Sequence, residues 1–196
     1  MKIILSTRNP SKALQIKTIF QDSPIEILTL DEADIEGEAV EDGKTLEENA
    51  IKKALYAFEK SGGSSCVMAD DTGIFIKALN GEPGVISARW AGETATTEEI
   101  TNYCLERLKG KDDRSAIFRT VVVLISPADE QHIFTGEIAG KILETPRCEP
   151  QPKMPYSPLF MPDGTNKVWA EMTIEEENKI SHRGIAFRKV VEFFKN

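Results

Sequence analysis

The sequence predicts an α/β protein whose sheet is mixed rather than purely parallel, and three features carry that prediction. Short apolar runs that read as strands alternate with segments of helical periodicity through the N-terminal half. Two long strand-like runs, Ala116–Ile125 and His132–Leu143, are joined by the short link Ser126–Gln131. A link of that length makes an antiparallel hairpin, which a parallel sheet does not contain. Finally, 196 residues suffice for one sizeable core, so a single domain is expected, with room for two lobes.

In chain order, Lys2–Ser6 reads as a buried strand, followed by the turn Thr7–Lys12. Ser11 is placed to cap a helix carrying Leu14, Ile16, Ile19 and Phe20. Ile25–Leu30 is a second strand, and Asp31–Asp42 an acidic, solvated loop. Thr45-Leu46-Glu47-Glu48 fits a capping box for a helix through Ala50, Ala54 and Phe58 that stops at Gly62-Gly63. Cys66–Ala69 is a strand that delivers Asp70 and Asp71 into a turn. Phe75–Leu79 fits either an extended piece or a short helix. Thr97 caps a helix over Glu98–Leu108. Pro146–Pro162 holds six of the ten prolines and is expected to be a loop without regular hydrogen bonding. Ile185–Phe194 closes the chain as an amphipathic helix.

A net charge of −8 excludes a broad nucleic-acid-binding surface, because neutralising phosphates takes clustered Lys and Arg. It leaves room for a small phosphorylated ligand in a local basic pocket. Cys66, Cys104 and Cys148 are odd in number and lack metal-ligand spacing, which points to free thiols in a reducing cytoplasm. The N-terminal apolar run is too short for a signal peptide, and no later run spans a bilayer.

The most informative stretch is Met68-Ala69-Asp70-Asp71-Thr72-Gly73. Adjacent carboxylates at a strand exit suit a hard divalent cation or activation of water, although Asp-Asp-Thr-Gly is also ordinary turn chemistry. Thr7-Arg8-Asn9-Pro10-Ser11-Lys12 lies between a first strand and a first helix, where α/β proteins place phosphate-binding turns. Its plain alternative is a strand-to-helix turn with a surface lysine. Gly43-Lys44-Thr45 resembles the end of a P-loop but is rejected, since five residues rather than four separate Gly37 from Gly43. Glu41 and Glu48 flank that segment, either completing a metal shell or forming a solvated acidic face. Gly81–Trp90 either wraps a ligand with Ser87 and Arg89 or is a structural turn with Trp90 in the core. Ser181-His182-Arg183-Gly184 reads as an anion or base-edge reader, or as a helix cap with a surface histidine. No serine sits in a nucleophile elbow, so a catalytic triad is not expected.

In order along the chain, Thr7-x-Asn9-x-x-Lys12, Glu41-x-Gly43-x-Thr45-x-x-Glu48-Asn49-Ala50, Ala69-Asp70-Asp71-Thr72-Gly73, Pro83-Gly84-Val85-x-Ser87-Ala88-Arg89 and Ser181-His182-Arg183-Gly184 resemble the inosine triphosphate pyrophosphatase family. The resemblance covers nearly the whole chain. It implies an elongated α/β fold with two lobes around a central cleft and a homodimer. It also implies a Mg²⁺-dependent cut between the α and β phosphates of deaminated purine nucleoside triphosphates such as ITP, dITP and XTP. By matching position, Asp71 would be the general base or metal-organising carboxylate, with Glu41 and Asp70 helping to hold Mg²⁺. Thr7, Asn9 and Lys12 would contact phosphates, Thr72, Tyr156 and Ser181 would bind the substrate, and His182 and Arg183 would face the base.

The departures cluster on the base-reading side. The family's Gly-Phe-Gly-Tyr-Asp-Pro segment is Lys153-Met154-Pro155-Tyr156-Ser157-Pro158 here, a lysine is replaced by Glu177, a glutamate by Gln15, and Pro-Arg-Gly by Pro146-Arg147-Cys148. Glu177 exchanges a donor for an acceptor. Two further readings therefore accompany the first: the same reaction on a different or modified base, and a nucleotide-binding protein without catalysis.

Overall fold

A computed structural model describes residues 1–195. Seven strands form one sheet: β1 (Lys2–Leu5), β2 (Glu26–Thr29), β3 (Cys66–Ile76), β4 (Pro83–Gly84), β5 (Ser115–Ile125), β6 (Gln131–Ile142) and β7 (Phe160–Pro162). Their order is β2-β1-β3-β5-β6-β7, with β4 also paired to β3. β1 runs parallel to β2 and β3, while β3–β5, β5–β6, β6–β7 and β3–β4 are antiparallel. The sheet is mixed, as the long hairpin demanded.

Two helices cover one face of its N-terminal part. Ile16 and Phe20 of α1 (Pro10–Phe20) and Phe187 and Val190 of α5 (His182–Phe193) pack with Met68, Val122 and Leu124. On the opposite face α2 (Leu46–Lys60) lays Leu46, Ala50 and Ala54 on Ala69, Val121 and Val123. Farther along the same strands a third core gathers Ile74, Ile76, Ala116 and Phe118 with Ile100 and Cys104 of α3 (Thr97–Arg107). The long strands β3 and β5 thus pass from one apolar core into another, and Asp70–Thr72 lie at the crossing.

That placement corrects the expected turn. Asp70-Asp71-Thr72-Gly73 continues straight through β3, paired with Val122, Val121, Thr120 and Arg119 of β5. Apolar residues on both sides and continuous pairing with β5 along one edge keep the segment extended despite its turn-like composition, while on the other edge β1 pairs only as far as Met68 and β4 only from Ile74. Gly73 serves close approach rather than reversal, since a Cβ there would lie 2.5 Å from the Gly84 carbonyl oxygen of β4.

Other differences are local. Asn9, not Ser11, caps α1, its side chain accepting from the Ser11 and Lys12 amides, with Pro10 leading the helix. Thr96 rather than Thr97 caps α3 in a full capping box with Glu99. Thr45 does cap α2, but Glu48 reaches back to the Lys44 amide instead of closing the box on Thr45. Phe75–Leu79 divides, the first two residues ending β3 and the rest forming a 3₁₀ turn.

The proline-rich segment is irregular through most of its length, as expected, but it does not stay outside the fold. Its residues 155–160 are buried, and Phe160–Pro162 adds strand β7 to the sheet. Ser157 stitches the segment, accepting from the Gln151 amide and donating to the Met154 carbonyl. A helix absent from the sequence expectations, α4 (Ile174–Ile180), follows it, capped by Thr173 and Glu176. The Thr-x-x-Glu spacing was its legible sign. Gly136 of β6 lets α5 settle onto the sheet, because a Cβ there would lie 2.1 Å from the His182 carbonyl oxygen.

Candidate active site

A cavity of about 300 Å³ opens beside the crossing of the cores. One end is polar. β3 contributes Asp71, α2 contributes Lys53, the turn after β1 contributes Thr7 and Asn9, the first turn of α1 contributes Lys12, and the loop before α2 contributes Glu41. The other end is aromatic and buried, walled by Phe118, Tyr156, Trp169 and His182, with Met154 and Glu177 beside them.

Strand alternation divides the two carboxylates. Asp71 faces α2, where its Oδ2 accepts from Asn49 Nδ2 at 3.1 Å and its Oδ1 from Lys53 Nζ at 3.2 Å. Lys53 Nζ also lies 3.3 Å from Glu41 Oε2, so Glu41 and Asp71 converge on one cationic point. Arg89 braces the Glu41 loop by donating to its backbone carbonyl at 2.7 Å. Burial pushes the Asp71 carboxyl above its usual range, with Glu41 adding to the shift and Lys53 and Lys12 opposing it. Burial works against the Lys53 ammonium, but Asp71, Asp70 and Glu41 outweigh it and hold its pKa up.

Asp70 points the other way, towards α1 and α5. Its Oδ2 accepts from Lys12 Nζ at 2.9 Å and from Thr72 Oγ1 at 3.2 Å, and Arg183 Nε lies 3.9 Å away. Burial would raise this carboxyl, yet Lys12, Arg183 and Lys53 hold it well below the usual carboxylate range. Asp70 Oδ2 therefore faces Lys12 and Arg183 rather than the point where Glu41 and Asp71 meet, while its Oδ1 is buried without a hydrogen-bond partner. Alternation sets the two on opposite faces of β3, with Lys12 in direct contact with Asp70 and Arg183 close by.

The remaining sequence candidates sort by what their polar atoms already do. Thr7 accepts from the Asn9 amide, and the Asn9 carbonyl oxygen caps α1, so both hold the turn on the cavity rim. Thr72 Oγ1 also lies 2.7 Å from Thr120 Oγ1. Ser181 is fully buried and its Oγ accepts from the Gly184 amide, which makes it the cap of α5. The Tyr156 hydroxyl donates to the Ser87 carbonyl at 2.8 Å, and its ring packs edge-on against Phe118. Ser87 is itself structural, accepting from the Ile74 amide and donating to the Gly84 carbonyl. Arg183 donates to Gln15 Oε1. Glu48 stays at the exposed mouth of α2.

His182 is not a surface histidine. Its ring stacks on Phe118 at 4.7 Å between centroids, and its Nδ1 is buried without a hydrogen-bond partner. Burial, then the neighbouring Arg183, drives its pKa well below the ordinary value. The unfolded chain protonates this histidine near pH 6.5 while the folded one does not, so the unfolded state holds the extra proton below that pH. Its contribution to stability is thus intact above pH 6.5 and lost as pH falls. In denaturant unfolding between pH 7 and 5, His182→Phe is expected to flatten the acid limb by up to about 1.4 kcal/mol per pH unit. Parallel stability curves for the two proteins would contradict this.

Lys53 was missed from the sequence. Its sign lay in the i, i+4 spacing of Asn49 and Lys53 on the buried stripe of α2, both reaching Asp71. Among the described residues no group of three or more His, Cys, Asp or Glu side chains gathers as a metal shell. Two carboxylates do converge, at Glu41 and Asp71. Hard oxygen donors in that number fit Mg²⁺, which keeps several waters and takes its other ligands from substrate phosphates. The thiols stand apart: burial pushes Cys104 up to about 12, and it lies in the core. No helix among the described residues is long and apolar enough to cross a membrane.

Known proteins match this chain over nearly its full length. A family model described as the Ham1 family matches residues 3–193. A dITP/XTP pyrophosphatase of Thermoanaerobacter pseudethanolicus is 42% identical over 195 residues, covering 98% of this chain and 96% of its own. One from Christiangramia forsetii is 41% identical over 193 residues, covering 98% of each. Among solved structures, a HAM1 protein from Coxiella burnetii superposes with a TM-score of 0.87 at 34% identity, covering 100% of this chain and 98% of its own. The Staphylococcus aureus Ham1 protein gives 0.85 at 32%, with the same coverage.

Proposed function

The chain belongs to the Ham1 family, and on that premise we propose that it is a nucleoside triphosphate pyrophosphatase of deaminated purine nucleotides, dITP, XTP and ITP. Water attacks the α-phosphorus, the α–β bridging bond breaks, and the products are the nucleoside monophosphate and pyrophosphate. The observation that carries the reading is the convergence of Asp71, Glu41 and Lys53 at the polar end of a cavity whose other end is aromatic.

Glu41 and Asp71 would hold Mg²⁺. When bound, the ion neutralises phosphate charge and lets a triphosphate approach a cavity that also carries carboxylates. The chain's own groups do the rest. Lys12 and Lys53 offer ammonium donors to phosphate oxygens. Asp71, with its pKa raised by burial, orients the attacking water and takes its proton. Asn49 fixes the carboxylate in place. Phe118, Trp169 and His182 exclude water around a flat ring at the far end. The homodimer and the cytoplasmic setting belong to this proposal too, and both rest on the resemblance and composition alone.

Incubating the protein with dITP, ITP, XTP and ATP, with and without Mg²⁺, tests the reading. Pyrophosphate and monophosphate are expected from the deaminated nucleotides only when Mg²⁺ is present. Release of orthophosphate instead, or turnover that ignores the metal, would overturn it.

A further inference from the structure

We propose that Lys153 is a substrate-binding residue, an ammonium at the mouth of the cavity that pairs with the phosphate chain of the bound nucleotide. The inference rests on the proposed triphosphate reading and adds one contact to it. The family segment that Lys153–Pro158 resembles opens with glycine, so the contact is a feature of this chain.

The backbone marks the position. Pro152 and Lys153 are the middle residues of a turn closed by the Met154 amide, which donates to the Gln151 carbonyl at 2.9 Å. Lys153 has a φ of 58°, in the left-handed region that strains a residue with a Cβ and favours glycine. Among the described residues the other non-glycines with such a φ are Asp34, Asn80 and Asp129. Short polar side chains of that kind tolerate the region through local hydrogen bonds, and a lysine has no such means. The turn itself therefore gives no reason for a lysine. It is also tied in place. Ser11 Oγ donates to the Pro152 carbonyl at 3.1 Å, and the Gln151 amide donates to Ser157 Oγ at 2.9 Å. Ser11 belongs to the first turn of α1, next to Lys12, so Lys153 is held beside the helix start that borders the polar end of the cavity.

Electrostatics single out the same residue. Six lysine and arginine side chains line the cavity. Lys12 meets Asp70, Lys53 meets Glu41 and Asp71, and Arg8 meets Asp31 and Glu38. Arg89 lies 3.5 Å from Glu93 and donates to the Glu41 carbonyl, and Arg183 donates to Gln15. Lys153 alone makes no ion pair or hydrogen bond through its side chain among the described residues. It is exposed, and its ammonium rides on a flexible four-carbon stem that can swing across the cavity mouth. A nucleoside triphosphate concentrates its negative charge in the phosphate chain, where an ammonium finds charged oxygen acceptors that a neutral ring does not offer. A strained backbone position carrying an unpaired cation at a cavity is accounted for by a ligand that pairs with that cation.

The test compares Lys153→Gly, Lys153→Met and Lys153→Arg with the wild type on ITP and on ribose 5′-triphosphate, which has no base, with Mg²⁺ present. Urea unfolding of each protein is followed alongside. Lys153→Gly and Lys153→Met are expected to raise KM by roughly 3- to 10-fold on both substrates, the scale of one charged contact partly screened by water. kcat should change less, and added salt should raise KM less steeply in these two variants than in the wild type. Lys153→Arg, which keeps a cation, should restore most of the affinity. Lys153→Gly should unfold at a urea concentration no lower than the wild type, because glycine accepts the φ that lysine strains. Lys153→Met keeps the strain, so a KM raised in both variants separates the charge from the backbone. An unchanged KM in both, a rise confined to ITP, a rise in Lys153→Gly alone, or a lower urea midpoint in Lys153→Gly would each overturn the assignment and leave the pyrophosphatase reading standing. A wild type that does not turn over ITP would instead sink the function itself, and the Lys153 contact with it.

Discussion

Asp71→Asn is expected to lower kcat for pyrophosphate release by roughly 10²- to 10⁴-fold, the usual worth of a positioned general base. The amide keeps the size of the side chain and can still accept from Asn49, so the fold should persist. What disappears is the negative oxygen that faces Lys53 across 3.2 Å, and with it the proton acceptor and half of the Glu41–Asp71 pair. The Mg²⁺ concentration that half-saturates the enzyme should rise in the same variant. Stopped assays of pyrophosphate against a metal titration report both quantities. Turnover equal to the wild type would exclude Asp71 as base and as metal carboxylate together.

Asp70→Ala should act on stability rather than on the metal. Its carboxylate is fully buried between Lys12 and Arg183, and removing it strands two cations beside one another. Breaking such a pair from one side costs about 3–5 kcal/mol, a large share of the roughly 5–15 kcal/mol by which a domain is stable. A marked drop in the urea midpoint is expected, with an unchanged Mg²⁺ half-saturation in whatever protein stays folded. Pairing it with Lys12→Met should recover part of the loss, since one stranded charge is then gone. If Asp70→Ala instead shifts the Mg²⁺ requirement as Asp71→Asn does, the division of the two aspartates between faces is wrong.

Those opposite expectations for adjacent residues show where the sequence stops. That both carboxylates matter was legible in Ala69-Asp70-Asp71-Thr72-Gly73. That they face different partners was not, because the composition read as a turn and a turn would have presented both to one site. An extended backbone sends successive side chains to opposite faces, so the single fact that β3 runs through to Ile76 separates them. Lys53 was hidden for a related reason. Its spacing from Asn49 is the one local sign, and that sign gains meaning only once α2 is laid against β3 and its ammonium meets Glu41 and Asp71. Tyr156 and Ser181 show the reverse, since both lie where motifs place them, yet their hydroxyls are occupied within the protein.

By itself the sequence determined the mixed α/β class, the long hairpin of β5 and β6, the cap at Thr45 and the ordered motifs of the family. These are local matters: apolar period, link length and side-chain hydrogen bonds across a few positions set them. Only the tertiary structure decided which carboxylate faces the cavity, that Lys53 joins it, and that Glu177 ends up buried among rings. Each depends on which residues distant in the chain are packed together. Burial then acts on both carboxyls, offset at Asp70 by Lys12, Arg183 and Lys53 but prevailing at Asp71, whose pKa it pushes up.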